Sequence, residues 1–478
     1  MKKIILFVTA IGCMLFFSCA SRSALRQEKL ADATRKNEFL PAVDFIKKNP
    51  KLYGRNNELL YNMDIGMLYH YEGMHDSSNT YLLNAINVYH DLFARSVTNE
   101  VASMLVNDNV RPYRSRPYEL TFLHQVAAFN FLAFDKVHEA LVETRRMQLL
   151  FDEWERKDRT DEKYTSDGMF HFMSSIVYDA AGESDNAMIS LFKSVKAYKN
   201  GLVKLPPYIQ NYAYNMFKLN DRESDNELLK LQPPKEQLPG VENNISEIVF
   251  IGYSGKGPSI EEAVWSGTYV KDGLLVVHHK RPDGKRETMS LPAPSIPESE
   301  LRKAEKGQKT KSGTTFHIKF ALPVLKKHSS KTKAFKVHCD GYPEPFTTTV
   351  INDFDLQVAK NLEDTKAATL ARTVARVVIR TITTQQTKGQ LTTNNPLANI
   401  LINVGTDVLA DQLEKADTRS CFLLPKTVQI ARIPVKPGVY TIDVAAMGGA
   451  GEVLRTKKFS NIKVGMNQKK FVFYSSFE

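Results

Sequence analysis

Two residues in the N-terminal half have the types that an acid–base catalyst needs. Glu119 and His124 follow Pro117, and a carboxylate beside an imidazole can transfer protons at neutral pH. Side chains that share a helix face stand three or four residues apart, whereas these two stand five apart. A histidine near a helix start is also commonly a structural residue. We therefore predict no enzyme and no cofactor, and an enzyme that uses this pair is the weakest of our hypotheses.

Two other motifs lack the spacing that their chemistry requires. Residues 252–257 read Gly-Tyr-Ser-Gly-Lys-Gly. A nucleophile elbow needs glycine two positions after its serine, and a P-loop needs Ser or Thr directly after its lysine. His278 and His279 are neighbours on a predicted strand, so their side chains point to opposite faces and do not hold one metal ion. The sequence predicts no catalytic, cofactor or metal site.

The cysteines leave one question open. The chain has four, too few for a disulfide-built mini-domain. Cys339 and Cys421 are the two that lie in the body of the predicted fold. In an oxidising compartment they could form a disulfide, and their spacing neither demands nor excludes it.

The N-terminus has the pattern of a secretory signal. Lys2 and Lys3 precede an almost wholly apolar run over residues 4–17, which is shorter than the roughly 20 residues of a membrane span. The run ends in Ser-Cys-Ala around Cys19, which resembles a bacterial lipobox; Cys13 is a weaker rival. The resemblance implies a signal peptide over residues 1–18, cleavage before Cys19 and acylation of its thiol. By similarity to enterobacterial sorting, it also implies an outer-membrane lipoprotein that faces the periplasm.

Composition bounds the remaining possibilities. The chain has 478 residues, of which 42% are hydrophobic and 24% charged. These values exclude a disordered chain, a collagen-like chain and a polytopic membrane protein. Lys and Arg number 64 against 53 Asp and Glu, so the formal net charge is +11. The surface therefore leans basic.

Much of this basic charge lies between residues 302 and 336, where Glu305 is the sole acidic residue. A patch of one sign attracts polyanions such as anionic lipid head groups or cell-wall polymers. A solvated loop is the plainer interpretation, and the patch lacks the interleaved aromatic residues of a nucleic-acid platform, so we predict no nucleic-acid partner. The candidate polyanion-binding residues are Lys303, Lys306, Lys309, Lys311, Lys326, Lys327, Lys331 and Lys333.

Helical repeats are predicted for residues 19–231. Around Gly66 and Gly73, and again around Gly182, small and large residues recur at the offsets of the tetratricopeptide (TPR) pattern, in which small residues let two antiparallel helices approach. The pattern predicts a TPR-like α-solenoid. Its function would be a concave protein-binding surface; the alternative is a helical domain that only packs on the C-terminal half.

A change of composition follows. Residues 232–245 contain Pro, Gly and Asn without periodicity and predict a linker. Residues 246–478 carry short alternating runs with turn signals, which predict a β-sandwich-like domain. An inserted helical hairpin is predicted over about 355–415, because two apolar stripes recur there at helical spacing. The two apolar stripes would pack against each other or on the sheet. The alternative is a pair of amphipathic helices that lie at a membrane surface. The predicted fold class is α+β.

Several motifs together resemble an uncharacterised family of bacterial lipoproteins with a TPR-like N-terminal half. Residues 416–425 read Ala-Asp-Thr-Arg-Ser-Cys-Phe-Leu-Leu-Pro, and residues 140–146 read Ala-Leu-Val-Glu-Thr-Arg-Arg. The family's Tyr-Glu…His…Ala-x-Asn segment is matched by Tyr118, Glu119, His124, Ala128 and Asn130. Cys421 stands where the family usually has Trp. The resemblance implies work in the cell envelope and no established activity.

These observations predict a lipid-anchored adaptor that uses its TPR-like repeats to bind an unidentified envelope protein. The alternative is a binding module for an anionic envelope polymer or lipid through the lysine-rich segment.

Overall fold

The computed structural model describes residues 25–96, 109, 111–157, 167–201, 203–234, 242, 245–270, 273–281, 283–292, 315–391 and 415–478. The predicted signal peptide, the acylation site Cys19 and the lysines at 303, 306, 309 and 311 lie outside these residues.

The described part of the N-terminal half is helical. A short 3₁₀ turn, Pro50–Leu52, follows the second helix. The helices are α1 (25–36), α2 (Leu40–Lys48), α3 (Glu58–Glu72), α4 (His75–Ser96), α5 (Pro117–Ala133), α6 (Val137–Lys157), α7 (Gly168–Ala180), α8 (Ser184–Asn200), α9 (Pro207–Leu219) and α10 (Glu223–Leu228).

Helices α3 and α4 form a close pair at the first predicted repeat. Gly66 faces Leu82, and a Cβ on Gly66 would lie 2.4 Å from Leu82 Cδ2, so a larger residue would force the Leu82 side chain to shift. Ser78 Oγ donates a hydrogen bond to Gly66 O at 2.7 Å. Gly73 ends α3 at a φ of +87°, a left-handed conformation that glycine adopts without strain. The small residues of the sequence pattern therefore set the contact between the two helices.

Helices α7 and α8 repeat this arrangement. Gly168 packs under the ring of Tyr198, with an added Cβ 2.7 Å from the ring carbons. Gly182 sits between the helices at a φ of +76°. Asp167 caps α7 by accepting a hydrogen bond from the Phe170 N–H at 2.9 Å. Helices α5 and α6 pack together between these two pairs.

The C-terminal half contains three four-stranded sheets, and no closed barrel occurs among the described residues. Sheet I has the order β12-β1-β9-β8, sheet II β11-β10-β6-β7 and sheet III β4-β3-β2-β5. The strands are β1 (Glu247–Lys256), β2 (Ser259–Val270), β3 (Leu274–Lys280), β4 (Arg286–Pro292), β5 (Thr315–Lys326), β6 (Ala334–Cys339), β7 (Phe346–Thr347), β8 (Thr349–Asp353), β9 (Pro425–Pro434), β10 (Gly438–Met447), β11 (Val453–Val464) and β12 (Lys469–Ser476).

Strand β1 joins the two halves of the molecule. Val249, Ile251 and Tyr253 lie in the same hydrophobic core as the helices, whereas Ile248 and Phe250 lie in a core between sheets I and II. Both faces of β1 are thus buried, which explains its continuous apolar sequence. The strand pairs in parallel with β12 and antiparallel with β9. The helical half and sheet I therefore share one core.

A long helix, α11 (Phe354–Leu391), covers sheet III. Its stripe of Leu370, Val374 and Val378 packs with Trp265 of β2 and Phe320 of β5. The first predicted helix of the hairpin thus buries its apolar stripe on a sheet, which agrees with the expectation of core packing and not with the alternative of a membrane-surface helix. The second predicted helix falls on residues 392–414, outside the described residues.

The predicted α+β class is confirmed, with helices before the linker region and mainly antiparallel sheets after it. Over the described parts of the chain, none of the helices combines the length and the apolar character of a membrane span.

Candidate functional site

The structure separates the two residues of the acid–base pair. His124 Nδ1 lies 2.9 Å from Glu143 Oε2 of α6, and both side chains are buried. Glu143 Oε1 also accepts a hydrogen bond from Arg146 at 2.7 Å. Glu119 instead contacts groups at the start of α5. The contact between His124 and Glu143 therefore ties α5 to α6.

Glu119 is fully buried and holds three donors at short distance. Its Oε2 accepts from the Tyr113 hydroxyl at 2.5 Å and from the Arg116 backbone N–H at 2.8 Å. Its Oε1 accepts from the backbone N–H of Cys421 at 2.7 Å. One carboxylate thus connects the start of α5 to a segment 302 residues further along the chain.

That segment, residues 416–425, is hereafter the ADTRS segment. It runs without regular secondary structure up to β9. Arg116 Nη1 donates to the carbonyl of Arg419 at 2.5 Å, and the Tyr71 hydroxyl donates to the carbonyl of Leu423 at 2.7 Å. Together with the contact between Glu119 and Cys421, these hydrogen bonds hold the backbone of the ADTRS segment against α3 and the start of α5.

Arg419 fixes the outer end of the ADTRS segment. It forms a two-point ion pair with Asp417, with nitrogen–oxygen distances of 2.8 and 2.7 Å. It also donates to Asn57 Oδ1 at 3.0 Å and to the carbonyl of Arg111 at 2.9 Å. Burial acts to raise the pKa of Asp417, but the contacts with Arg419 outweigh it and lower that pKa. The carboxylate is therefore ionised at neutral pH.

A second buried acid lies beside this segment. Asp64 of α3 accepts a hydrogen bond from the Tyr53 hydroxyl at 2.7 Å, and Arg26 lies over the Tyr53 ring at 5.1 Å. Complete burial raises the pKa of Asp64 to about 6. Sequence reasoning missed Asp64, although an acid inside an otherwise apolar helix pattern is a usable signal.

The two cysteines of the fold body are free and buried in different cores. Cys421 lies in the core that the helices share with sheet I, and Cys339 lies in the core between sheets I and II. The disulfide considered from the sequence is therefore not formed in the structure. Burial raises the pKa of Cys339 to about 11 and that of Cys421 well above its ordinary value.

A cleft of about 770 Å³ opens where α3 and α4 meet sheets I and II; we call it the junction cleft. His70, His75 and Tyr253 line its inner wall, and β11 contributes Arg455 and Lys457. Sequence reasoning did not single out these residues, because they come from separate elements. The two histidines lie on either side of Gly73, a residue of the repeat pattern, and this position was the available signal.

Buried charges join the halves at another point. Arg432 makes two hydrogen bonds to Glu247, at 2.8 and 2.7 Å, and Lys469 contacts both Glu247 at 3.2 Å and Asp179 of α7 at 2.8 Å. Arg432 also lies 4.3 Å from the ring centre of Tyr212. Burial acts to raise the pKa of Glu247, but the two cations outweigh it and lower that pKa.

The remaining motif residues occupy structural positions. The glycine-rich turn is the end of β1, and the Lys256 ammonium lies 3.8 Å from the ring centre of Phe422. Burial lowers the pKa of Lys256 to about 8. His278 Nδ1 contacts the Thr288 hydroxyl, and His279 Nδ1 contacts a backbone carbonyl. Within the described ranges, no group of three or more His, Cys, Asp or Glu residues is placed to hold a metal ion.

The described lysines of the basic segment lie at the surface. Lys326 pairs with Glu261 at 2.5 Å. Lys327, Lys331 and Lys333 are exposed, like Lys326.

Comparison of the chain with protein-family models, with curated proteins and with solved structures finds no match.

Proposed function

We propose that this protein is a cell-envelope lipoprotein that acts as a protein-interaction scaffold through its helical half. The helix pairs α3–α4, α5–α6 and α7–α8 follow one another and pack in succession, which supports a TPR-like solenoid. The core between sheets I and II supports a β-sandwich-like module beside it. The scaffold would stand on an acylated Cys19 in the outer membrane and face the periplasm.

One observation carries this proposal. The helical half already binds a segment without regular secondary structure, because side chains of α3 and of the start of α5 bond to backbone groups of the ADTRS segment. Hydrogen bonds to backbone groups do not depend on side-chain identity, so such contacts suit peptides of varied sequence. A surface that holds one segment in this way supports a role in holding others.

Site-specific photo-crosslinking tests the scaffold. A photoreactive amino acid replaces Leu149 or Leu228, which are apolar helical-half residues 66% and 71% exposed. The control position is Met466, which is 80% exposed in the β11–β12 turn. We expect a discrete adduct with one envelope protein from a helical-half position and none from Met466. An intact protein that gives no adduct from either helical-half position would refute the scaffold.

Acylation is tested separately. Cys19→Ala should abolish the acylated N-terminal peptide in mass spectrometry and release the protein from the membrane fraction, because no other acylated residue is proposed. Cys13→Ala is the matched control and should change neither. Release by Cys13→Ala instead would move the acylation site.

The second candidate, binding of an anionic envelope polymer or lipid, is favoured by the exposed lysines near the end of β5. Lys327→Glu with Lys331→Glu should weaken sedimentation with anionic vesicles, and added salt should weaken it further. The control is the same reversal at exposed lysines of the helical half, Lys51 and Lys196. Equal loss in both double variants, or binding that salt does not change, would exclude a specific patch.

A further inference from the structure

The hydrogen bonds around Asn130 fix which way its amide points. Asn130 Nδ2 lies 2.8 Å from both Ser78 Oγ and Asn79 Oδ1. Asn79 Nδ2 donates to the carbonyl of Ala127, so the oxygen of Asn79 is the atom that faces Asn130. Ser78 donates its hydroxyl hydrogen to Gly66 O and therefore accepts from Asn130. The amide nitrogen of Asn130 is thus the donor on this side, and its Oδ1 is an acceptor on the other.

This orientation determines the protons on two histidines. His70 Nδ1 lies 2.6 Å and His75 Nδ1 lies 2.8 Å from Asn130 Oδ1, so both rings carry a hydrogen on Nδ1. His70 Nε2 then accepts from the Tyr253 hydroxyl at 2.9 Å. Burial is the largest influence on both rings, and it lowers the pKa of His70 to about 3 and lowers that of His75. Both rings are therefore neutral at neutral pH, and His75 Nε2 bears a lone pair.

That lone pair is available to a ligand. His75 is half-buried and lines the junction cleft, and its Nε2 makes no hydrogen bond within the described part of the chain. A second acceptor, Asn37 Oδ1, also belongs to a residue of the cleft; it is buried and has no hydrogen-bond partner among the described residues. Buried acceptors without partners are uncommon in folded proteins. The cleft therefore offers two acceptors to a donor on a bound molecule.

The walls and the rim of the cleft define the rest of the ligand. Phe39, Tyr71 and Phe473 provide aromatic surface, and the Phe473 ring lies 5.6 Å from that of His75. Of the two rim cations, Arg455 is neutralised by Glu478 at 2.5 Å. Lys457 is exposed and forms no ion pair among the described residues.

We propose that the junction cleft binds a small ring-bearing carboxylic acid that carries a hydroxyl group. The hydroxyl donates to His75 Nε2, the ring lies against the aromatic wall, and the carboxylate pairs with Lys457. A neutral donor fits better than an ammonium, because the unpaired Lys457 repels a second cation. A single unpaired lysine matches a single negative charge. This site is independent of the scaffold proposed above, since it needs no protein partner.

Calorimetric titration of the full chain with para-hydroxybenzoate tests the proposal. Two analogues serve as matched ligands: benzoate lacks the hydroxyl donor, and methyl para-hydroxybenzoate lacks the charge. We expect saturable binding of one para-hydroxybenzoate per chain, with benzoate about tenfold weaker because one hydrogen bond is lost. The ester should be about fivefold weaker, as for an exposed ion pair.

Variants link binding to the named residues. His75→Phe keeps the ring packing on Phe473 and leaves Asn130 Oδ1 bonded to His70, so the fold should be retained. The variant should bind para-hydroxybenzoate about tenfold more weakly and bind benzoate with unchanged affinity. Lys457→Gln should weaken the binding of both acids about fivefold and leave the affinity for the ester unchanged. Lys458→Gln, at the next position of β11 and outside the cleft lining, should change none of them.

Three results would overturn the site. They are the absence of saturable para-hydroxybenzoate binding up to about 10 mM, equal affinity for benzoate and para-hydroxybenzoate, and equal losses in the Lys457 and Lys458 variants. Melting temperatures of His75→Phe, Lys457→Gln and Lys458→Gln that match the original chain show that any loss of affinity in these variants concerns binding and not folding.

Discussion

The contact between Glu119 and Cys421 predicts a local opening that one substitution should promote. In Glu119→Gln, one carboxylate oxygen becomes an amide NH₂ group. If the remaining oxygen stays with Tyr113 and Arg116, the NH₂ group faces the Cys421 N–H, and two donors oppose each other. A buried donor left without its acceptor costs about 1–3 kcal/mol. A central value of about 2 kcal/mol raises the population of an opened ADTRS segment about 30-fold.

The chain contains its own reporter for this opening. Cys421 is buried and free, and burial raises the pKa of its thiol, so it resists alkylation until the segment opens. A pulse of iodoacetamide followed by peptide mass spectrometry measures each cysteine separately. We expect labelling of Cys421 to rise about 30-fold in Glu119→Gln if opening is fast relative to labelling.

Two controls separate local from global effects. Cys339 is also free and buried but lies in the core between sheets I and II, so its labelling should stay unchanged. Glu139→Gln makes the same chemical change at an exposed position of α6 and should affect neither thiol. Equal acceleration at Cys339 and Cys421 in Glu119→Gln would refute a local role for Glu119. Unchanged labelling of Cys421 would show that this hydrogen bond does not hold the segment.

Three further substitutions test the packing and the buried charges. Because burial raises the pKa of Asp64 to about 6, its ionisation removes stability as pH rises from the unfolded pKa to the folded one. The free energy of unfolding of Asp64→Asn, measured in urea, should therefore rise by about 2 kcal/mol relative to that of the original chain as pH increases from about 4 to about 8. A difference between the two chains that does not change with pH would contradict this. Gly66→Ala should lower the free energy of unfolding by about 1–2 kcal/mol, because the added methyl group clashes with Leu82. In a Leu82→Ala chain the same substitution should instead raise it by up to about 1 kcal/mol through helix propensity. Additive effects of the two substitutions in denaturant unfolding would disprove the contact. Arg432→Met should lower the free energy of unfolding by about 3 kcal/mol, because Glu247 then keeps Lys469 as its sole cationic partner. Adding Glu247→Gln should recover part of this loss. A thermal melt in which the double variant is less stable than the single one would count against this account.

Local patterns predicted much of the fold. The glycines at positions 66, 73 and 182 act locally. Gly66 lets α3 and α4 approach, as expected for small residues, whereas Gly73 and Gly182 turn the chain between paired helices at positive φ. The strands at 247–256 and 425–434 likewise follow from apolar or alternating runs bounded by turns. Such features depend on neighbours within one or two helical turns or strand spacings, so a single sequence contains them.

Long-range pairings were not predictable in this way. Nothing in the sequence indicates that Glu119 meets Cys421, because no periodicity connects residues so far apart. The polar cluster of His70, His75 and Asn130 was missed for the same reason, although His70 and Asn130 each interrupt an apolar helix pattern. From the sequence, the helical half was expected either to form a binding surface or only to pack on the C-terminal half. The core that the helices share with sheet I shows that the two halves do pack together.

The parallel pairing of β1 with β12 has a consequence for how the molecule is made. Glu247 pairs with Lys469, so the second strand is synthesised 222 residues after the first. At about 5–20 residues per second, β1 waits roughly 10–40 s for this neighbour. During that interval a strand with four consecutive apolar residues, at 248–251, has an open edge, which is a hazard for aggregation. Sheet I is therefore completed late, and a chaperone that shields residues 247–256 would protect the nascent chain at its most vulnerable stage.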